Sequence, residues 1–271
     1  MKIAAAQIAC TLGDVAANLR KMREFAAGAK EAGAALILFP EMADTGYAME
    51  VIRATATSWE TGAVPELKAI ARELSLSIVS GVSEREADKI YNTQVVIGPE
   101  GEILAKYRKT HLFALIGEDQ TCAAGECLTS IGLGSFVAGL SICYDLRFPE
   151  IYRALAVDRG VNLFLNSSAW PFPRFEHLRV LATARAIENQ SYLILANRVG
   201  RDSGAPFCGS SAIIDPYGVT IAAASADREE LLVAEVSPAV VKSVREKMPV
   251  FADRRPQLYA NPFKRQNRAG V

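Results

Sequence analysis

Short, almost purely apolar runs recur along the chain, separated by longer stretches in which apolar residues return every three or four positions. The first kind of run predicts strands and the second amphipathic helices. Strands are predicted at residues 2–8 ("KIAAAQI"), 35–39 ("ALILF"), 77–82 ("SIVSGV"), 136–143 ("FVAGLSIC"), 162–166 ("NLFLN") and 191–197 ("SYLILAN"). Residues 91–97 and 102–108 flank "GPEGE" and predict a hairpin, and residues 210–224 predict another around "PYG". Helices are predicted at 15–32, with Asp14 as N-cap and Gly33 as stop, at 65–74 from Pro65, behind Pro149, at 176–189 and at 238–247.

Strands without polar alternation are expected where both faces of a sheet are covered, so the pattern is mixed α/β. It shows no internal repeat, low-complexity block or long linker. One domain is expected over residues 1–250. The irregular tail from Phe251 to Val271 is either frayed or laid against something, a partner subunit being one candidate.

Composition narrows the function classes. Thirty basic and thirty acidic residues give a formal net charge of zero, which argues against nucleic acid or an anionic membrane as partner. No run approaches the roughly 18 apolar residues of a spanning helix. "MKIAAAQIA" is too quickly polar for a signal peptide, and five cysteines without a pairing pattern suit a reducing cytoplasm. Cys122 and Cys127 lack a second pair at ligand spacing and the chain has two histidines, so no metal site is expected.

Three polar residues follow strand-like runs: Glu41 after "LILFP", Lys109 after "EILAKYR" and Cys143 after "GLSI". Taken singly, each has a plain structural reading as a loop cap, a solvated face or core packing. Together they form a candidate activated nucleophile. A free thiol titrates near 8.5 and a free glutamate near 4.3, so proton transfer starts about 6 kcal/mol uphill. Burial of the carboxylate and an ammonium beside the thiol would narrow that gap from both sides. The rival is a Cys–His pair using His111 or His177, neither with an evident orienting acid in the sequence.

The segments "LFPEMADTGY", "YRKTHLF" and "ICYDLRFPE", in this order, resemble the three signatures of the nitrilase superfamily of carbon–nitrogen hydrolases. "ARAIENQSYLILANRVG" and "DRRPQLY" extend the resemblance over nearly the whole chain. It implies a four-layer α-β-β-α sandwich, a homodimer or higher homo-oligomer, and no cofactor. Position by position, Glu41 corresponds to the general base and acid, Lys109 to the lysine that stabilises the tetrahedral intermediate and Cys143 to the nucleophile. The family's second glutamate is best matched by Glu118, seven residues before Gly125, although this segment lacks the usual proline before the glycine and is shorter after "HLF". The backbone N–H of Tyr144 would join Lys109 in an oxyanion hole.

"CYDLRFPE" and "SSAWPFPR" resemble the omega-amidase branch, which implies a small-molecule amide substrate, a 2-oxo dicarboxylate monoamide, cleaved to acid and ammonia. A substrate carboxylate would want an arginine, and Arg147, Arg174 and Arg198 are the candidates, each with an ordinary ion-pair reading beside it. The alternatives are an amidase on another acyl group, an N-carbamoyl amide hydrolase or a nitrilase with the same triad. From other classes, a non-catalytic binding protein and a thiol-redox protein using Cys143 stand against the intact triad and the lack of a resolving cysteine.

Overall fold

The computed structural model describes residues 1–202, 204 and 206–260. The chain begins with β1 (Lys2–Gln7), α1 (Val15–Glu31), β2 (Leu36–Leu38), α2 (Met49–Thr55), α3 (Ala63–Leu74), β3 (Ser77–Glu86), β4 (Lys89–Ile97) and β5 (Ile103–Arg108). It continues with β6 (Ser130–Leu133), β7 (Phe136–Ile142), α4 (Pro149–Asp158), β8 (Leu163–Ser168), α5 (Phe175–Asn189), β9 (Tyr192–Asn197), β10 (Ala212–Ile214) and β11 (Thr220–Ala223). Then follow β12 (Glu230–Glu235), α6 (Pro238–Lys247) and α7 (Pro256–Ala260).

The strands form two six-stranded sheets, ordered β12-β1-β2-β3-β4-β5 and β11-β10-β9-β8-β7-β6. In each the centre is parallel (β1, β2, β3 and β7, β8, β9) and the flanks antiparallel. The uninterrupted apolar runs have the predicted cause. In β1, Ile3 and Ala5 enter the core that runs between the sheets, whereas Ala4 and Ala6 pack with Met22 and Ala26 of α1 and with Leu67 and Ile70 of α3. The second sheet is covered on its outer face by Ile151 and Leu155 of α4 and by Leu178, Ala182 and Ala186 of α5. The result is the α-β-β-α sandwich.

Local chemistry fixes the element ends. Asp14 Oδ1 accepts the Ala17 N–H at 2.9 Å and so caps α1, as its position predicts. Three elements escape the periodicity reading: α2, β6 and β12. For β12 the reason is non-local, since its antiparallel partner is β1, more than 220 residues earlier. Within the stretch expected to be irregular, Pro256–Ala260 form a short helix, and the remainder of that tail, residues 261–271, lies outside the described residues. Among the described residues, no helix is long and apolar enough to cross a membrane.

The parallel centres bring chemistry to one edge. β2 and β8 both run toward it, so the Glu41 N–H meets the Ser168 carbonyl at 3.5 Å and Ser167 Oγ donates to the Phe39 carbonyl at 2.8 Å. β7, parallel to β8, ends there at Ile142, directly before Cys143.

Candidate active site

Each candidate side chain is placed by backbone that something else holds. The Glu41 turn is strapped to β3: the Gly81 N–H donates to the Pro40 carbonyl at 3.1 Å and the Ala43 N–H to the Gly81 carbonyl at 3.0 Å. Lys109 directly follows β5. Its N–H donates to the Asn92 carbonyl and its own carbonyl accepts the Gly125 N–H, both at 2.8 Å. A Cβ on Gly125 would come within 2.1 Å of the Arg108 carbonyl oxygen, so only glycine lets the Glu118-bearing segment lie against the lysine. Cys143 opens a 3₁₀ turn, Cys143–Arg147, with φ +43, a left-handed conformation that costs a non-glycine residue about 1–2 kcal/mol. Asp145 secures that turn by accepting the Ile142 N–H at 2.9 Å and the Tyr107 hydroxyl at 2.7 Å.

Three of the expected residues form one buried cluster, with the fourth beside it. Lys109 Nζ lies 2.8 Å from Glu41 Oε1, 2.9 Å from Glu118 Oε1 and 2.8 Å from Glu118 Oε2. All three side chains are fully buried. Glu118 Oε2 also accepts the Phe113 N–H at 2.7 Å, and Glu41 Oε2 the Ala169 N–H at 2.9 Å. The Cys143 thiol is buried next to the Glu41 carboxylate. Asn92, which nothing in the sequence singles out, donates from Nδ2 to both glutamates.

Two carboxylates share one ammonium, and their environments push them apart. Burial works against the charge on Lys109, but Glu118 and Glu41 outweigh it and hold the ammonium well above the usual lysine range. Burial also opposes the charge on Glu118, yet Lys109 prevails and its carboxyl titrates below the ordinary value. For Glu41 burial wins over Lys109 and the carboxyl is pushed up, which makes it a stronger base than an exposed glutamate. The thiol departs from expectation. Burial and the Glu41 charge push Cys143 well above its ordinary value, and Lys109 only partly counters them. The Glu41 shift works to narrow the gap between the two groups and the Cys143 shift to widen it. The upward shift favours the neutral thiol form of Cys143.

Cys143 and Tyr144 line a cavity of about 460 Å³ walled by Tyr47, Phe113, Trp170 and Phe207. Arg147 and Arg174 also line it. Arg147 lies over the Trp170 ring with its carbon centre 4.7 Å from the centroid, and Arg174 over Phe113 at 5.5 Å. Neither makes an ion pair among the described residues. Arg198 is placed differently: it is buried, and its guanidinium grips Asp202 through contacts of 2.7 and 3.0 Å.

The histidines are engaged elsewhere. His111 does have an acid, Asp145, 3.1 Å from Nδ1, and its ring stacks on Phe148 at 3.8 Å. His177 Nδ1 lies 3.3 Å from Arg147 Nη2. Cys122 is buried and Cys127 exposed, both as free thiols. Among the described residues, no three His, Cys, Asp or Glu side chains are grouped to hold a metal ion.

Known proteins resemble this chain over nearly its whole length. The model of the carbon-nitrogen hydrolase family matches residues 2–246. A 2-oxoglutaramate amidase of Bacillus subtilis is 36% identical over 259 residues, covering 95% of this chain and 98% of its own. A human omega-amidase is 30% identical over 259 residues, covering 92% and 93%. A solved mutant of the amidase from Nesterenkonia sp. AN1, with acrylamide added at its active-site cysteine, superposes with a TM-score of 0.86 at 30% identity, covering 97% of this chain and all of its own. Sequence and fold thus agree, and the chain belongs to the carbon–nitrogen hydrolase family of the nitrilase superfamily, as an amidohydrolase.

Proposed function

We propose that the protein hydrolyses small linear amides carrying a carboxylate, of the 2-oxo dicarboxylate monoamide class, through a thioester on Cys143. The observation that carries this reading is a thiol beside a carboxylate that burial pushes up, at a cavity that also presents Arg147 and Arg174, neither ion-paired among the described residues.

In this reading Glu41 takes the thiol proton while Sγ attacks the amide carbon. The charge that develops on oxygen is met by Lys109 and by the Tyr144 N–H, which lies in the first turn of its 3₁₀ segment and has no acceptor within it. Two ammonium protons of Lys109 are taken by Glu41 and Glu118. The third faces Tyr47 Oη at 3.4 Å, a long contact that a substrate oxygen can replace. Glu41 returns its proton to the leaving nitrogen and ammonia departs, leaving the acyl group on sulfur. Water, deprotonated by Glu41, attacks the thioester, releasing the acid and restoring the thiol. Glu118 fixes the lysine throughout. The relatives named as 2-oxoglutaramate amidase and omega-amidase support the choice of acyl group.

Ammonia release from 2-oxoglutaramate, 2-oxosuccinamate, glutamine, butyramide, an N-carbamoyl amino acid and a nitrile tests the reading. The 2-oxo amides are expected to lead, with Cys143→Ala inactive. A lead by butyramide or the nitrile would overturn the substrate class and leave the nucleophile standing. An active Cys143→Ala variant would remove the nucleophile.

A further inference from the structure

Asn92 lies in β4, and its side chain reaches both glutamates of the cluster. Nδ2 is 2.7 Å from Glu41 Oε1 and 2.7 Å from Glu118 Oε1, while the buried Oδ1 has no hydrogen-bond partner among the described residues. Chemistry fixes this orientation, because a flipped amide would set its carbonyl oxygen against two carboxylate oxygens. An orphaned buried carbonyl is uncommon. Here it accompanies the commitment of both amide protons to carboxylates. The main-chain carbonyl of the same residue accepts the Lys109 N–H at 2.8 Å. One residue thus touches the lysine backbone and both acidic side chains.

We propose that Asn92 is a positioning residue that holds Glu41 and Glu118 as paired, ionised acceptors around Lys109, keeping Glu41 available as a base. The inference rests on the role given to Glu41 above. The titratable groups facing Glu41 are Lys109, Glu118, Cys143 and Tyr47, with Cys122 and Arg198 further out. Lys109 is the near positive charge, and it is shared with Glu118. Donation from Asn92 therefore opposes the burial that drives Glu41 toward its protonated form. Without it, Glu41 holds its proton to higher pH.

The test is the rate at which iodoacetamide alkylates Cys143 as a function of pH, read by mass at the Cys143 peptide. It needs no substrate. Asn92→Leu keeps the volume and removes both donors, and is expected to move the acid limb of the profile up by about one pH unit, a tenfold slowing on that limb. Glu41→Gln is expected to abolish this limb and leave only the thiol's own rise at higher pH, and Asn92→Leu added to it to change nothing further. A limb that survives Glu41→Gln at the same pH overturns the role of Glu41. A limb that Glu41→Gln abolishes but Asn92→Leu leaves in place overturns the Asn92 proposal alone. Should Asn92→Leu not fold, Asn92→Ser, with a single donor, moves the limb the same way by less, and an unmoved limb again overturns the proposal.

Discussion

Gly81 and Glu41 touch backbone to backbone: a Cβ on Gly81 would lie 2.5 Å from Glu41 Cα, 2.7 Å from the Pro40 carbonyl oxygen and 2.8 Å from the Met42 nitrogen. All three neighbours are main chain, so no rotamer change relieves the clash. β3 is therefore more than a core strand. It is the surface on which the Glu41 turn, with Met42 held at φ +48, is moulded.

Gly81→Ala should consequently act on both stability and chemistry. Overpacking of this kind costs about 1–3 kcal/mol, and a rigid backbone neighbour places it at the upper end or beyond. Displacing Glu41 by about 1 Å is enough to lower turnover on the order of 100-fold. Denaturant unfolding together with amide hydrolysis checks this. A variant that keeps wild-type stability and turnover would show that the turn adapts freely.

A second carboxylate near this turn gives a pH signature of unusual sign. Asp44 is buried, and burial pushes its carboxyl from 3.8 up to about 6 although the Ser83 N–H and hydroxyl donate to it. The folded state thus binds a proton that the unfolded state releases between about pH 4 and 6. The stabilisation is full below the unfolded value and is lost as pH rises through 6, about 3 kcal/mol in all. Glu84 has the opposite sign: hydrogen bonds from Arg108, Thr93, Trp59 and Lys106 overcome burial and lower it to about 2, so its contribution disappears as pH falls from about 4.5 to 2. Asp44→Asn should flatten the stability profile between pH 4 and 6 and leave the lower window unchanged. Equal slopes for the variant and wild type across pH 4–6 would rule this out.

Much of this architecture was legible in the chain. The parallel strands announce themselves as apolar runs because helices or the opposing sheet cover both faces, and Glu41 and Cys143 stand out as the polar residues that end two of them. Glu118 was reachable through Gly125, whose missing side chain has a steric reason in Arg108. Asn92 was not reachable. In "YNTQVVI" it is one polar residue in a strand, and its importance depends on the pairing of β4 with β5, which brings its carbonyl to Lys109. The same limit hid β12, and it hid the partner of Arg198. Only the folded loop shows that Asp202 occupies that guanidinium, whereas Arg147 and Arg174 face the cavity.

Those two arginines carry a specificity prediction. Burial lowers the affinity of Arg147 for its proton and the neighbouring charge of Arg174 adds to the effect, so an anion between them would be welcome to both. Arg174→Met should lower kcat/KM for a carboxylated amide roughly 10- to 100-fold, the loss of a charge-assisted hydrogen bond. Butyramide, which has no carboxylate, should be affected less than threefold on the same argument. Parallel losses on both substrates would assign Arg174 to holding the cavity wall.

Asp145 links the turn that carries Cys143 to the lysine segment. Its Oδ2 accepts the Ile142 N–H and the Tyr107 hydroxyl, and its Oδ1 accepts the His111 N–H at 3.1 Å and the Thr110 hydroxyl at 3.3 Å. Donors thus converge on both oxygens from the strand that ends directly before Cys143 and from residues on either side of Lys109. Asp145→Asn keeps the shape but must turn an NH₂ group toward donors on one side or the other. Leaving buried donors unmatched costs about 1–3 kcal/mol for a neutral group and more for a charged one, so a loss of roughly 2–4 kcal/mol is expected. Because the two anchored segments carry Cys143 and Lys109, turnover should fall on the order of 100-fold with little change in KM. Thermal unfolding and steady-state kinetics on the same preparation decide it. Stability within about 0.5 kcal/mol of wild type, the range of an ordinary surface change, would mean that the turn is held by its packing and the carboxylate is dispensable.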